Sequence, residues 1–180
     1  MGGAALWWRR LLWAVLAGGL LLFWAWTAWY QARWHTYEEL IAAAAAEYEV
    51  PADLIAALIW QESRFRPDVV GGVGEIGLMQ VTPLVGYEWA GRHDHHAFDP
   101  DELFDPVTNI RVGTWYLARA LAQWSDRPDA VPYALAQYNA GRRNALRWAQ
   151  DDQNDPEQFI ASITYPTTRH YVRSILNRYR

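Results

Sequence analysis

Residues 11–32 carry no charged side chain, and this uncharged run limits what the chain can fold into more than any other feature of the sequence. A helix of that length is long enough to span the ~30 Å hydrocarbon core of a membrane. Arg9 and Arg10 precede the run, which favours a short N-terminus that stays in the cytoplasm. The sequence therefore predicts a transmembrane anchor within residues 1–35, with everything after it outside the cytoplasm.

Aromatic side chains crowd both ends of this run, where rings favour the membrane interfaces. They are Trp7, Trp8, Trp24, Trp26, Trp29 and Tyr30. A cleaved signal peptide is the alternative, but its apolar region is typically shorter and ends in small residues. Arg9-Arg10 as a twin-arginine export signal is a third interpretation. The tryptophan-rich end favours an uncleaved anchor.

The remaining residues, 36–180, read as one mostly helical domain. Apolar residues recur at helical spacing in several segments, while the alternation typical of strands is hard to find. We expect helices over 37–48, after Pro51, from Asp105-Pro106 to about Trp124, over 132–140, from Asp155-Pro156, and over 171–179. The predicted class is all-α, with at most a small irregular sheet or loop near residues 65–77.

Composition excludes several functions. The formal charge of -4 argues against nucleic acid as a partner, since phosphate contacts require clustered Lys and Arg. The chain has no cysteine, which excludes disulfides, thiol catalysis and cysteine-zinc sites. His93, His95 and His96 stand together beside Asp94, but we interpret them as a polar surface loop. The sequence predicts neither a metal site nor a cofactor.

A glutamate continues the apolar stripe of the helix that follows Pro51. Positions 54, 58 and 62 stack on one helix face, so Glu62 points where Leu54 and Leu58 point. Burial there would raise the pKa of a carboxyl group and keep it protonated at neutral pH, as a general acid requires. The alternatives are a glutamate turned to solvent at the helix end, or one bonded to backbone amides of the next loop.

A glycine-rich loop follows this glutamate. Gly71, Gly72, Gly74 and Gly77 permit unusual backbone conformations and close approach of a ligand, although a tight helix connection would need them too. The lysine and the spacing of a phosphate-binding loop are missing. Gln80 comes next, with an amide that can both donate to and accept from an N-acetyl group.

Five motifs occur in order and carry a resemblance. They are ESRF (62–65), GLMQVTP (77–83), DPVTNIRVGTWYL (105–117), AQYNAG (136–141) and TRHYV (168–172). Over roughly residues 37–180 the chain resembles the catalytic domain of the lytic transglycosylases related to goose-type lysozyme. The resemblance implies a lysozyme-like helical fold with a glycan groove. Together with the predicted single-pass anchor, we expect this domain on the periplasmic side of a bacterial cytoplasmic membrane. The resemblance also implies cleavage of the bond between N-acetylmuramic acid and N-acetylglucosamine in peptidoglycan glycan strands.

By this resemblance Glu62 is the sole catalytic acid and then base, and the product has a 1,6-anhydro sugar end. Gln80 and Thr82 match positions that line the glycan site, with Met79 packing behind them. Tyr138 matches a tyrosine whose hydroxyl lies near the acid, and Asn139 an asparagine that supports the turn. Tyr171 is interpreted as a core side chain.

Two positions depart from the family pattern, and one residue is added. Many relatives have serine where Gly71 stands and glutamate where Thr167 stands. Glu75 is an extra carboxylate, interpreted as an exposed loop residue; facing the groove, it could activate water instead. The alternatives to a transglycosylase are therefore a lysozyme-type hydrolase and a non-catalytic glycan-binding or scaffold protein.

Overall fold

The computed structural model describes residues 3–150 and 154–180. Near the N-terminus, the described part does not include the side chains of residues 3–6, 26, 29–31, 33 and 34. The predicted interfacial positions of Trp26, Trp29 and Tyr30 therefore lie outside the described residues. The chain divides into two compact units, one ending at Glu38 and one covering Glu39–Arg180.

From Gly3 onwards, the first unit is part of helix α1, Gly3–Tyr48. Its segment Trp7–Ala25 is long and apolar enough to cross a membrane, and none of that segment is buried within the protein. Trp7, Trp8 and Trp24 are all more than two-thirds exposed. The expected helix start at Tyr37 is wrong, because α1 already begins at Gly3 and is continuous to Tyr48.

The second unit is helical, which confirms the predicted fold class. After the end of α1 come seven α-helices and one short 3₁₀ helix among the described residues. They are α2 (Ala52–Ser63), α3 (Pro83–Arg92), the 3₁₀ helix (Pro100–Phe104), α4 (Pro106–Gln123), α5 (Val131–Ala140), α6 (Arg142–Trp148), α7 (Pro156–Ser162) and α8 (Pro166–Tyr179). Strand-like pairing in the described chain is confined to two isolated bridges, Val70 with Ile76 and Ile76 with Val81.

Local signals in the sequence explain where several helices begin and end. Asp105 caps α4 by accepting from the Thr108 amide at 3.0 Å, and Asp155 caps α7 by accepting from the Glu157 amide at 2.8 Å. Gly141 ends α5 with a φ of 82°, a conformation that suits glycine. The helices α3 and α6 and the 3₁₀ helix were not predicted, because each is short and carries little apolar periodicity.

The helices of the second unit enclose a core and position one long loop. Helix α2 packs against α8, and α5 packs against both α4 and α8. The loop between α2 and α3 is fixed by Asn109 of α4, which is 1% exposed. Its side-chain amide donates to the carbonyls of Ile76 and Leu103 at 2.8 and 2.7 Å, and its oxygen accepts from the Met79 amide at 2.8 Å. Two of these bonds, to Ile76 and Met79, hold the loop against α4, and the third, to Leu103, ties the 3₁₀ helix to the same side chain.

Candidate active site

The carboxyl end of α2 and the following loop form a cleft of about 370 Å³. Residues from α2, the loop, the start of α3 and the end of α5 line it: Glu62, Gly71, Gly72, Val73, Glu75, Gln80, Thr82, Tyr138 and Asn139. Five of the six predicted site residues therefore lie around one cavity. The sixth, Met79, lies behind it.

Glu62 is the most perturbed acid of this cleft. Loss of hydration on burial raises its pKa from 4.5 to about 7, and the charge of Glu75 raises it as well. A hydrogen bond from the Tyr171 hydroxyl to Glu62 Oε1, at 2.5 Å, acts in the opposite direction because it stabilises the anion. The carboxyl group can therefore hold or release a proton near neutral pH.

Tyr171 contributes to the site in a way that the sequence did not indicate. The residue is 6% exposed, in agreement with the predicted core position, but its hydroxyl reaches Glu62 across the contact between α8 and α2. Burial is the main reason why the pKa of this phenol is raised, so its hydroxyl keeps its proton and can donate it in a hydrogen bond. The stripe of residues 171, 172, 175 and 176 on α8 was the available signal, and it predicted packing only.

Tyr138 also lines the cleft. Its hydroxyl donates to the Met79 carbonyl at 2.9 Å, and burial followed by the charge of Glu62 raises its pKa. The structure thus places Tyr138 near the acid, while the tyrosine hydroxyl bonded to Glu62 belongs to Tyr171. Asn139 lines the cavity and accepts from the Thr168 hydroxyl at 2.7 Å, which ties α5 to α8.

The side-chain N–H groups of Gln80 donate to backbone carbonyls of its own loop. Its Nε2 donates to the carbonyls of Val69 and Gly77, at 3.1 and 3.0 Å, which leaves Oε1 directed towards Gly71. Thr82 also lines the cavity, and its hydroxyl accepts from the Val85 amide at the start of α3.

Met79 is fully buried and reaches the site only through its backbone. Its side chain fills the space above Gly113, where an added Cβ would come within 2.6 Å of its sulfur. The predicted packing position of Met79 is what the structure shows, and its backbone carbonyl is the acceptor for Tyr138.

The interpretation of Glu75 as an exposed loop residue needs correction. Glu75 is half-buried and lines the same cavity as Glu62, because the Val73 amide donates to its Oε2 at 3.0 Å and folds the side chain back over Gly71. Thr167, by contrast, is exposed at the start of α8 and does not line the cavity.

The histidine cluster forms local surface contacts. His95 lies 3.0 Å from Glu102 Oε2, and the His93 ring stacks on Trp89 with centroids 4.8 Å apart. Within residues 3–150 and 154–180, no group of three or more His, Asp or Glu side chains is arranged to hold a metal ion.

Comparisons with known proteins relate the second unit to one family. The sequence profile of the transglycosylase SLT domain matches residues 39–160, more than half of the chain. The chain is 30% identical over 173 residues to the soluble lytic murein transglycosylase of Escherichia coli K12. That match covers 94% of this chain and 26% of the relative. It is 33% identical over 150 residues to the membrane-bound lytic murein transglycosylase C of Shigella sonnei, covering 77% of this chain and 42% of the relative.

Solved structures show the same likeness. The 70-kDa soluble lytic transglycosylase in complex with bulgecin A superposes with a TM-score of 0.74 at 28% identity, covering 98% of this chain and 28% of that one. An inactive glutamate-to-glutamine mutant of the lytic transglycosylase Slt from Pseudomonas aeruginosa has a TM-score of 0.72 at 28% identity, covering 78% of this chain and 23% of that one. The chain therefore spans only about a quarter of the length of these larger relatives.

Proposed function

The chain belongs to the transglycosylase SLT domain family, and from this premise we propose that it is a peptidoglycan lytic transglycosylase. Its substrate would be the β-1,4 bond between N-acetylmuramic acid and N-acetylglucosamine in glycan strands. One observation carries the proposal: the Glu62 carboxyl group, with a pKa of about 7, lies in a cleft large enough for sugar rings. An inactive glutamate-to-glutamine relative supports a mechanism that depends on one carboxyl group.

In the first step, protonated Glu62 gives its proton to the glycosidic oxygen. The bond from that oxygen to C1 of the muramic acid breaks, and N-acetylglucosamine leaves with a 4-hydroxyl group. Positive charge develops at C1, and the carboxylate just formed on Glu62 faces it. Burial favours protonated Glu62 in the free enzyme, so the acid is ready at neutral pH.

In the second step, the 6-hydroxyl oxygen of the same muramic acid closes on C1. Its proton passes to the Glu62 carboxylate, which restores the starting acid, and the product is a 1,6-anhydro sugar. No water is consumed. Because the nucleophile is already part of the substrate, the entropy cost of bringing in a second reactant is largely avoided, and a single carboxyl group suffices.

The neighbouring residues take supporting roles in this proposal. Tyr171 orients Glu62 and stabilises its anion through the 2.5 Å hydrogen bond. Gln80 and Thr82 contact the glycan, with Gln80 Oε1 as an acceptor. Tyr138 lines the cleft and is held by the Met79 carbonyl behind it, and Asn139 lines the cleft as well.

A lysozyme-type hydrolase on the same fold is the second candidate, and the position of Glu75 favours it. A second carboxylate in the cleft could activate water on the far side of the sugar. Digestion of purified peptidoglycan followed by mass spectrometry of the new ends separates the two. A transglycosylase leaves anhydro ends, 18 Da lighter than the reducing ends of a hydrolase by the mass of one water.

Residues 1–35 would form the cytoplasmic N-terminus and membrane anchor, and residues 36–180 the catalytic domain. The apolar segment Trp7–Ala25 and the likeness to a membrane-bound relative both support membrane association. We further propose one membrane crossing with the catalytic domain on the periplasmic side, where peptidoglycan lies. Arg9 and Arg10 before the segment favour this orientation. The proposed partners are glycan strands and the membrane, and no nucleic acid or cofactor is required.

A further inference from the structure

Gly71 lies at a point of the cleft where its backbone does not require glycine. The glycines with positive φ among the described residues are Gly74, Gly77 and Gly141, so the φ angle of Gly71 does not exclude a residue with a side chain. A Cβ built on Gly71, however, would lie 2.3 Å from Glu75 Oε2 and 2.7 Å from Gln80 Oε1. The missing side chain therefore serves to leave room for these two oxygens.

The Glu75 carboxylate is held in that room by the loop. The Gly71 amide donates to the Glu75 carbonyl at 2.7 Å, and the Val73 amide donates to Glu75 Oε2 at 3.0 Å. No hydrogen bond to the other oxygen, Oε1, comes from any residue in the described parts of the chain. A carboxylate thus lies fixed on the wall of the cleft that contains Glu62, with one oxygen still able to accept.

We propose that Glu75, admitted by Gly71, is a second functional carboxylate of the cleft and determines specificity by accepting a hydrogen bond from the glycan. The donor would be a sugar hydroxyl or the N–H of an acetamido group, since both are neutral and abundant on this substrate. This inference rests on the proposed function, because it requires a glycan bound beside Glu62.

The same carboxylate acts on Glu62 through its charge. The titratable groups that face Glu62 are Glu75 from the loop, Tyr171 from α8 and Tyr138 from α5. Both phenols stay neutral over the pH range in which Glu62 titrates, because burial raises their pKa values. Glu75 is therefore the group that supplies a negative charge, and that charge helps Glu62 to keep its proton.

Glu75→Gln tests the proposal because it removes the charge while keeping the shape and an oxygen for the Val73 amide. We expect the alkaline limb of kcat/KM to move to lower pH and KM to rise roughly threefold to tenfold, since a charge-assisted hydrogen bond is weakened. The shift in the limb should shrink at high salt, because Glu75 is only half-buried. Glu39→Gln, an equal change of charge at an exposed site on α1, should alter neither quantity.

A double-mutant cycle tests the role of Gly71. Gly71→Ala should raise KM about as much as Glu75→Ala, because its Cβ displaces the carboxylate. When Glu75 is already alanine, Gly71→Ala should raise KM several-fold less. The remaining increase comes from the contact of the new Cβ with Gln80 Oε1. Unchanged KM and pH profile in Glu75→Gln, or additive effects in the cycle, would overturn the inference. The rate of peptidoglycan cleavage by Glu62→Gln is measured alongside. If this variant cleaves as fast as the parent, the proposed function itself fails.

Discussion

At the scale of single residues, the site is an acid kept uncharged at a cost in stability. Glu62 has a pKa of about 7 in the folded chain against an ordinary value of 4.5. Below pH 4.5 both the folded and the unfolded chain are protonated here, and the residue has no effect. Between 4.5 and 7 only the unfolded chain loses the proton, so stability falls as the pH rises and then levels off above 7.

Glu62→Gln should therefore stabilise the protein in a pH-dependent way. At pH 8 we expect the variant to be more stable than the parent by about 1–3 kcal/mol, falling towards zero near pH 4. Urea unfolding of both proteins across this range measures the difference. A difference that is flat with pH would show that the carboxyl group is solvated in the folded chain.

Tyr171→Phe should shift the pH profile of activity in the direction opposite to Glu75→Gln. The lost hydrogen bond stabilised the Glu62 anion, so the pKa of Glu62 rises and the alkaline limb of kcat/KM moves to higher pH. The rate at the optimum should fall roughly tenfold, since the acid loses its orienting partner. A lower rate with an unmoved pH profile would mean that Tyr171 only packs.

At the scale of elements, the shape of the cleft beside the acid depends on how α4 holds the loop between α2 and α3. Asn109 satisfies two carbonyls and one amide of buried backbone. Gly113, on the same helix, leaves space for the side chain of Met79. The backbone carbonyl of Met79 accepts a hydrogen bond from the Tyr138 hydroxyl. Helix α4 itself does not line the cleft, yet it sets the position of two of its walls.

Asn109→Ala should destabilise the protein by about 3 kcal/mol. Three hydrogen bonds disappear, and the backbone groups they satisfied stay buried. Equilibrium urea unfolding provides the measurement. Val107→Ala, at a half-exposed position of the same helix, serves as the control and should change stability by less than about 0.5 kcal/mol. Equal losses in both variants would contradict the role given to Asn109.

The sequence predicted the elements whose signals are local. Asp105 before Pro106 indicated a helix start, and Gly141 indicated a helix end, because capping needs only neighbouring residues. The stripe of 54, 58 and 62 pointed Glu62 inward for the same reason. The bond from Tyr171 joins residues 109 positions apart, and the return of Glu75 over Gly71 depends on loop packing, so no local pattern revealed either.

At the scale of the whole molecule, the chain combines an apolar helical segment with a compact catalytic unit. The part of the first unit whose side chains are described from Trp7 to Ala25 forms no core, since that segment is unburied. The second unit contains every residue assigned to the site. This division supports the proposal that the apolar segment keeps the second unit at a membrane surface.

Removal of residues 1–35 should release an active enzyme from the membrane. We expect the full chain to stay in the membrane fraction after washing with alkaline carbonate, and the shortened chain to appear in the soluble fraction. Activity on purified peptidoglycan should persist in the shortened chain, because the site lies wholly within Glu39–Arg180. A full chain that washes off would contradict the anchor.

The central claim is that one carboxyl group, Glu62, breaks the glycan without water. The most direct measurement is mass spectrometry of the sugar ends formed from purified peptidoglycan in H₂¹⁸O, by the parent protein and by Glu62→Gln. The account predicts anhydro ends free of ¹⁸O from the parent, and a rate lower by several orders of magnitude from the variant. Reducing ends that contain ¹⁸O, or a variant as fast as the parent, would contradict it.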